Sequence, residues 1–238
     1  MTGMHPWLTS TPGDWPRLRG KVTYPSRASV LELAVHLARP VAGNIIEFGV
    51  FKGASTRVIR DEVYRSPVWN VRRPPKRIFA CDSFDGLPDD YENLAAGTFA
   101  TPVPTLRGVR IVKGFFEQSL TPALADEVGP VSLAHFDADL FSATETALNW
   151  VDPLLHGGSL LLFDEFDGTD DAEARAFAEW CERTNHELTL IAMFGREPSG
   201  GGDTPDRRAL FQVVGDEHHR TPPPLLPTRI RRRLASRW

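Results

Sequence analysis

Short apolar blocks alternate with segments of helical period along most of this chain. Asn44–Phe48, Arg77–Asp82, Val109–Val112, Val131–Asp137 and Ser159–Asp164 are runs of four to seven residues. Runs of that length, bounded by Gly, Pro and acids, read as buried strands. Between them the apolar residues change period. In Ser26–Arg39, Val30, Leu31, Leu33, Ala34, Leu37 and Ala38 share one face, and Pro40 stops the helix. Ala54–Tyr64, Glu117–Val128, Ser142–Leu155 and the amphipathic Asp170–Thr184 read as further helices. Glu187–Met193 and Arg208–Val214 read as two final strands joined by a Gly/Pro-rich connection. Alternating strands and helices predict an α/β domain, a mostly parallel sheet with helices on both faces.

Three segments fall outside this rhythm. Residues 1–25 are irregular, with Pro and Gly spread through them. Ser83–Arg107 is long and rich in Gly and Pro, yet carries Phe84, Leu87, Tyr91, Leu94 and Phe99. A loop of that length inside a domain reads as a lid or acceptor loop. Residues 216–238 hold a Pro cluster and a basic run (Arg229, Arg231, Arg232, Arg233, Arg237), read as a solvated tail. The division is therefore 1–25, a domain at 26–215, and 216–238.

Composition narrows the function. A net charge of −4 and a pI near 6.0 argue against a general nucleic-acid binder. Met1–Pro16 has no apolar core of a signal peptide, and no apolar run reaches membrane-spanning length, so the expectation is a cytoplasmic protein. Cys81 falls on a strand and Cys181 on a helix, without metal-ligand spacing, and both read as small buried hydrophobes.

The chemistry gathers where strands end. Ile45-Ile46-Glu47-Phe48-Gly49-Val50-Phe51-Lys52-Gly53 places an acid and two glycines between the first strand and its helix. Glycines there let the backbone approach a ligand. The dinucleotide fingerprint G-x-G-x-x-G is absent, which argues against a nicotinamide enzyme. An acid before the glycines suits a cationic ligand, and the E-x-G-x-x-x-G loop points to S-adenosylmethionine. Asp82 closes the second strand, where an acid accepts hydrogen bonds from ribose hydroxyls. His135-Phe136-Asp137-Ala138-Asp139 and Leu162-Phe163-Asp164-Glu165 end two more strands in acids. Neighbouring strand ends bring Asp137, Asp164 and Glu165 together. Clustered carboxylates repel unless a cation lies between them, and Mg²⁺ is a natural partner.

Four stretches stand in a telling order: Gly49-Val50-Phe51-Lys52-Gly53, Asp82-Ser83-Phe84-Asp85-Gly86-Leu87-Pro88, Phe136-Asp137-Ala138-Asp139-Leu140-Phe141-Ser142-Ala143-Thr144 and Phe163-Asp164-Glu165-Phe166. Together they resemble the class I S-adenosylmethionine-dependent O-methyltransferases related to the macrocin, mycinamicin and novobiocin sugar methyltransferases. The likeness runs from about Tyr24 to about Met193. It implies a Rossmann-like sheet of seven strands with the last antiparallel. It implies cofactor contacts at Glu47, Gly49, Val50, Gly53, Ser55, Asp82, Ser83 and Asp137, metal ligands at Asp137, Asp164 and Glu165, and Asp139 as general base. It also implies a small-molecule or oligosaccharide acceptor carrying a sugar hydroxyl and, since relatives are often dimers or larger, a homo-oligomer as one expectation. By analogy Tyr24 lies near cofactor or acceptor. This chain departs from the common pattern at Glu165, where Asp is usual, and at Phe141, where Tyr is common.

A sugar hydroxyl is a poor nucleophile, and a carboxylate with an ordinary pKa near 4 is a weak base. A metal to lower the hydroxyl pKa and Asp139 to take the proton therefore belong together in this reading. His135 is the rival base. Three other readings compete: a catechol-type O-methyltransferase, a non-catalytic S-adenosylmethionine-binding protein, and a nucleotide-sugar enzyme with another cofactor.

Overall fold

The computed structural model describes residues 27–65, 75–90, 94–166, 172–184, 186–195 and 207–215. The elements in chain order are α1 (Arg27–Ala38), β1 (Asn44–Phe48), α2 (Ala54–Arg65), β2 (Ile78–Asp82), β3 (Val109–Lys113), α3 (Phe116–Ser119), α4 (Pro122–Val128), β4 (Val131–Phe136), α5 (Phe141–Val151), β5 (Leu160–Phe163), α6 (Ala172–Arg183), β6 (Glu187–Gly195) and β7 (Arg207–Val214). The seven strands form one sheet in the order β3-β2-β1-β4-β5-β7-β6. The first five run parallel, and β7 is antiparallel to both β5 and β6.

The strand order reverses between β1 and β4, so the crevice beyond their carboxyl ends is where such a sheet holds a ligand. Two apolar layers cover the sheet. Ile45, Ile78, Leu133, Leu160 and Leu162 pack under α1 and α2, with Val30, Leu31, Val35 and Ile59. Phe48, Phe79, Phe136, Phe163 and Phe211 pack on the other face, with Leu148, Phe177 and Trp180. Strands covered on both faces explain why their sequences read as continuous apolar runs instead of alternating ones.

Two helices differ from the sequence expectation for local reasons. The helix expected over Glu117–Val128 is two helices. Pro122 has no N–H to continue the first, and the Thr121 hydroxyl accepts from Leu124 N at 3.2 Å, capping the second. The helix expected over Ser142–Leu155 starts at Phe141 and leaves α-geometry at Val151, tightening into a 3₁₀ turn that contains Pro153. Cys81 and Cys181 are free and buried, as expected. Burial pushes the Cys181 thiol up to about 12, with Glu182 adding to the shift. Among the described residues no helix is long and apolar enough to cross a membrane. The expected irregular start, the link at 66–74, the β6–β7 connection at 196–206 and the basic tail lie outside the described residues.

Candidate active site

Three central strands end on phenylalanine in one row. Phe48 stacks on Phe136 at 5.2 Å between ring centroids, and Phe136 on Phe163 at 4.7 Å. The ladder runs one residue further. Asp137 N donates to Phe48 O at 2.8 Å and Asp164 N to Phe136 O at 2.9 Å. Side chains alternate across a sheet, so Glu47, His135, Asp137 and Asp164 face the side opposite the phenylalanines, toward α1 and α2. Backbone pairing thus sets the acids side by side.

Glu47 and His135 are register partners on β1 and β4, and both are fully buried. One Glu47 oxygen accepts from the Thr56 hydroxyl on α2, and the other lies 3.0 Å from His135 Nδ1. Glu47 was expected at the cofactor. Here both of its oxygens have internal partners, and it ties the sheet to the start of α2. Burial disfavours the His135 imidazolium, but Asp164 and Glu47 outweigh it and raise the pKa to about 10. His135 Nε2 stands 4.0 Å from Asp164 Oδ1, beyond hydrogen-bond reach, and has no hydrogen-bond partner among the described residues. A fully buried imidazole held cationic is a poor proton acceptor, which weakens it as the rival base.

Asp82 clamps the glycine turn. Its Oδ2 accepts from Val50 N at 2.7 Å and Phe51 N at 2.8 Å, and its Oδ1 accepts from Phe84 N at 2.7 Å. Oδ1 keeps one lone-pair direction for a ligand hydroxyl. Gly49 has φ +91°, and a Cβ there would lie 1.8 Å from Asp137 O, so β1 and β4 approach too closely for any side chain. Gly53 has φ +75° and lies against Leu106. Gly49→Ala is expected to destabilise the fold by about 3 kcal/mol or more, because both the conformation and the space are wrong. Soluble yield and thermal unfolding check this, and a Tm within a degree or two of wild type would contradict it.

The remaining expected cofactor residues are placed as follows. Val50 is buried against Ala80 and Phe84. Ser55 is buried on α2. Ser83 closes a local turn, accepting from Asp85 N at 3.2 Å. The expected lid is organised where it is described. Leu87 N donates to Thr98 O at 2.9 Å and Thr101 N to Phe84 O at 3.1 Å, holding residues 84–87 against 98–101. Phe84 and Leu87 are core, whereas Phe99 is exposed and meets Phe51 edge-on at 6.0 Å. Tyr24 and Tyr91 lie outside the described residues.

Asp137 and Asp164 converge, and arginines meet them. Arg27, the first residue of α1, pairs through Nη2 with Asp137 Oδ2 and through Nε with Asp164 Oδ1 at 3.1 Å. Arg208 on β7 donates Nε to Asp164 Oδ1 at 2.7 Å and Nη2 to Oδ2 at 3.4 Å. Burial would raise Asp164, but His135, Arg208 and Arg27 hold it well below the usual carboxylate range. Burial, helped by Asp164 and Glu47, pushes Asp137 up to about 8 against the pull of His135 and Arg27.

The Glu165 side chain is exposed, and no three metal-ligating side chains cluster among the described residues. As placed, Asp137, Asp164 and Glu165 do not fit a magnesium ion. At most two carboxylate charges meet two guanidinium charges there, and Arg208 spans both oxygens of Asp164.

Asp139 sits in a strained three-residue turn. Its φ is +60°, and Leu140 N donates to Ala138 O at 2.7 Å across it. Asp tolerates this conformation better than most residues, and strain of this kind gathers at functional sites. The turn lies directly after Asp137, on the same crevice.

Three site residues escape a reading of the sequence: Arg27, Arg208 and Glu173. Glu173 is fully buried on α6. Its Oε1 accepts from Ala138 N and its Oε2 from Glu165 N, both at 3.1 Å. One carboxylate thereby fastens the two acid-bearing loops to each other. Its signal was an acid on the apolar stripe shared with Phe177, Trp180 and Cys181. The signal at Arg27 was a cation in the first turn of a helix with no acid there, against the helix dipole. Arg208 gave none, because only the β5–β7 register, Phe163 opposite Ala209, sets it beside Asp164.

A parallel sheet with this strand order, an antiparallel β7, a glycine turn after β1 and an acid closing β2 defines the class I methyltransferase fold. The sequence matches the family described as "Methyltransferase domain" over residues 46–166, just over half of its length, and the chain belongs to that family. A curated relative is the 8-demethyl-8-(2,3-dimethoxy-alpha-L-rhamnosyl)-tetracenomycin-C 4'-O-methyltransferase of Streptomyces olivaceus. It is 27% identical over 177 residues, which span 64% of this chain and 65% of that protein. Among solved structures, the O-methyltransferase NovP superposes with TM-score 0.59 at 18% identity, covering 79% of each chain. CalS11, a TDP-rhamnose 3'-O-methyltransferase of calicheamicin biosynthesis, superposes with TM-score 0.54 at 22% identity and the same coverage.

Proposed function

We propose that this protein transfers a methyl group from S-adenosylmethionine to a sugar hydroxyl of a glycosylated metabolite or saccharide. The observation that carries the reading is the Asp82 clamp on the Gly49–Gly53 turn, opening onto the crevice that Asp137 and Asp139 border. Support for a sugar comes from the rhamnose-modifying activity of the tetracenomycin methyltransferase and of CalS11, to which this chain is similar.

The residues fit the cofactor. Asp82 would accept from the ribose hydroxyls, and Gly49 and Gly53 would let the backbone come close. When bound, S-adenosylmethionine supplies a methyl group already activated by its sulfonium. What is left for the chain is to bind, orient and deprotonate the acceptor. Asp139 would take the hydroxyl proton. Glu173 would hold the loops of Asp137 and Glu165 at fixed separation. By the resemblance a magnesium ion would join Asp137, Asp164 and Glu165, but the side chains as placed do not form that set.

Calorimetric titration with S-adenosylmethionine and its demethylated product tests the reading. Wild type is expected to bind both at micromolar concentration. Asp82→Ala is expected to bind roughly 10–100-fold more weakly, the loss of hydrogen bonds to a charged acceptor. Product formation is then read with nucleotide sugars and rhamnosylated aglycones as acceptors. Absence of cofactor binding by wild type would overturn the proposal.

A further inference from the structure

We propose that the cation of this active site is the protein's own: the guanidinium of Arg27, braced by Arg208, bridges Asp137 and Asp164 and binds the acceptor oxygen without a divalent metal ion. This rests on the methyl-transfer reading above and goes beyond it.

The first argument is charge. Asp137 and Asp164, which carry two negative charges at most because burial raises Asp137, meet Arg27 and Arg208, which carry two positive ones. A divalent ion between these carboxylates would leave an excess of positive charge and would have to expel Arg27. Arginine keeps its proton throughout the working range of pH, so it does not yield by deprotonation.

The second argument is geometry. Arg208 engages both oxygens of Asp164 and is only 13% exposed, so it is built into the sheet edge. Arg27 is different, with 41% of its side chain exposed. Its Nε and Nη2 hold the two acids, while Nη1 has no hydrogen-bond partner among the described residues. One edge of the guanidinium is therefore anchored, and Nη1 on the other keeps its donors for a ligand.

The third argument is placement. A cation in the first turn of α1 opposes the helix dipole. Helix stability does not explain Arg27 there, whereas the two acids do.

In this arrangement Arg27 Nη1 donates to the acceptor oxygen and stabilises the negative charge that grows on it as Asp139 removes the proton. The forked donor also suits two adjacent sugar oxygens, giving orientation that a lone ammonium does not provide.

The test is Mn²⁺ binding to the full chain, saturated with S-adenosylhomocysteine and followed by the free-ion electron paramagnetic resonance signal. The readout needs no acceptor. S-Adenosylhomocysteine binding is measured first, so failure of the methyltransferase reading shows as lost nucleoside binding and is distinct from failure here. Wild type is expected to leave millimolar Mn²⁺ free. Arg27→Met opens the carboxylate pair and is expected to create a Mn²⁺ site, removed again by adding Asp137→Asn. With an accepted sugar in hand, EDTA is expected to change the wild-type rate by less than about twofold, and Arg27→Met to lower it roughly 10²-fold. Arg27→Lys, which keeps the charge and loses the fork, covers the case in which the Met variant does not fold, and is expected to retain part of the rate while still binding no Mn²⁺. Tight Mn²⁺ binding by wild type, abolished by Asp137→Asn, or an EDTA-sensitive rate restored by Mg²⁺, would overturn the proposal.

Discussion

Asp139→Asn is expected to slow methyl transfer by roughly 10²–10⁴-fold, the range for losing a positioned general base, while cofactor affinity stays within about twofold of wild type. The substitution is chosen for the backbone. Asp139 has φ +60°, held by the turn from Ala138 O to Leu140 N. Asn enters the left-handed region as readily as Asp does, so this variant removes the acceptor of the proton and leaves the turn intact. Asp139→Ala removes the same base but adds about 1–2 kcal/mol of backbone strain, because a Cβ without a polar partner is disfavoured there. The two variants therefore separate chemistry from geometry. Equal rates in both assign the loss to the missing carboxylate, and a lower Tm is expected only in the Ala variant. An Asn variant that turns over at the wild-type rate would remove Asp139 as the base. The three-residue turn would then be a packing feature between β4 and α5.

Much of this fold was legible because the strands are buried on both faces. Asn44–Phe48 and Arg208–Val214 read as strands from apolar runs alone, and seven strands with an antiparallel last one follow from the resemblance that the four motifs carried. Breaks inside helices were less visible. Helical period continues in sequence across Leu120 and Thr121, and only Pro122 marks the interruption.

At the site, the acids were legible as residues and not as interactions. A sequence shows that Asp137 and Asp164 end neighbouring strands. It does not show that Arg27 and Arg208 arrive from α1 and β7, 110 residues before Asp137 and 44 after Asp164. Long-range ion pairs leave no periodicity to read. Glu47 illustrates the opposite case. Its position before the glycines suggested a ligand contact, because a carboxylate there can accept hydrogen bonds from a cationic ligand. One residue earlier in the strand, the side chain points to the other face, between α2 and the sheet, where Thr56 and His135 await it.

That burial makes Glu47→Ala the second large effect. Removing the carboxylate is expected to lower folding stability by about 3–5 kcal/mol, the cost of breaking a buried pair and leaving its partner uncompensated. The partner here is His135, whose ring would keep burial and lose one of its three neighbouring acids. Glu47→Gln retains volume and a hydrogen-bond acceptor for Thr56 and is expected to lose less. The pH dependence gives an independent check. The folded-state pKa of His135 is raised to about 10 from an ordinary 6.5, so its contribution to stability is fully present below pH 6.5 and fades as pH rises through 10. Asp137, raised to about 8, acts with the same sign, its contribution fading as pH climbs from near 4 to 8. Wild-type stability is therefore expected to fall between pH 7 and 10, and the slope over the upper part of that interval to flatten in Glu47→Ala, where His135 binds its proton less firmly. Urea unfolding at stepped pH measures both. A Glu47→Ala protein as stable as wild type, with an unchanged slope, would show that the Glu47–His135 pair does not hold β1 to β4, and would return Glu47 to the cofactor.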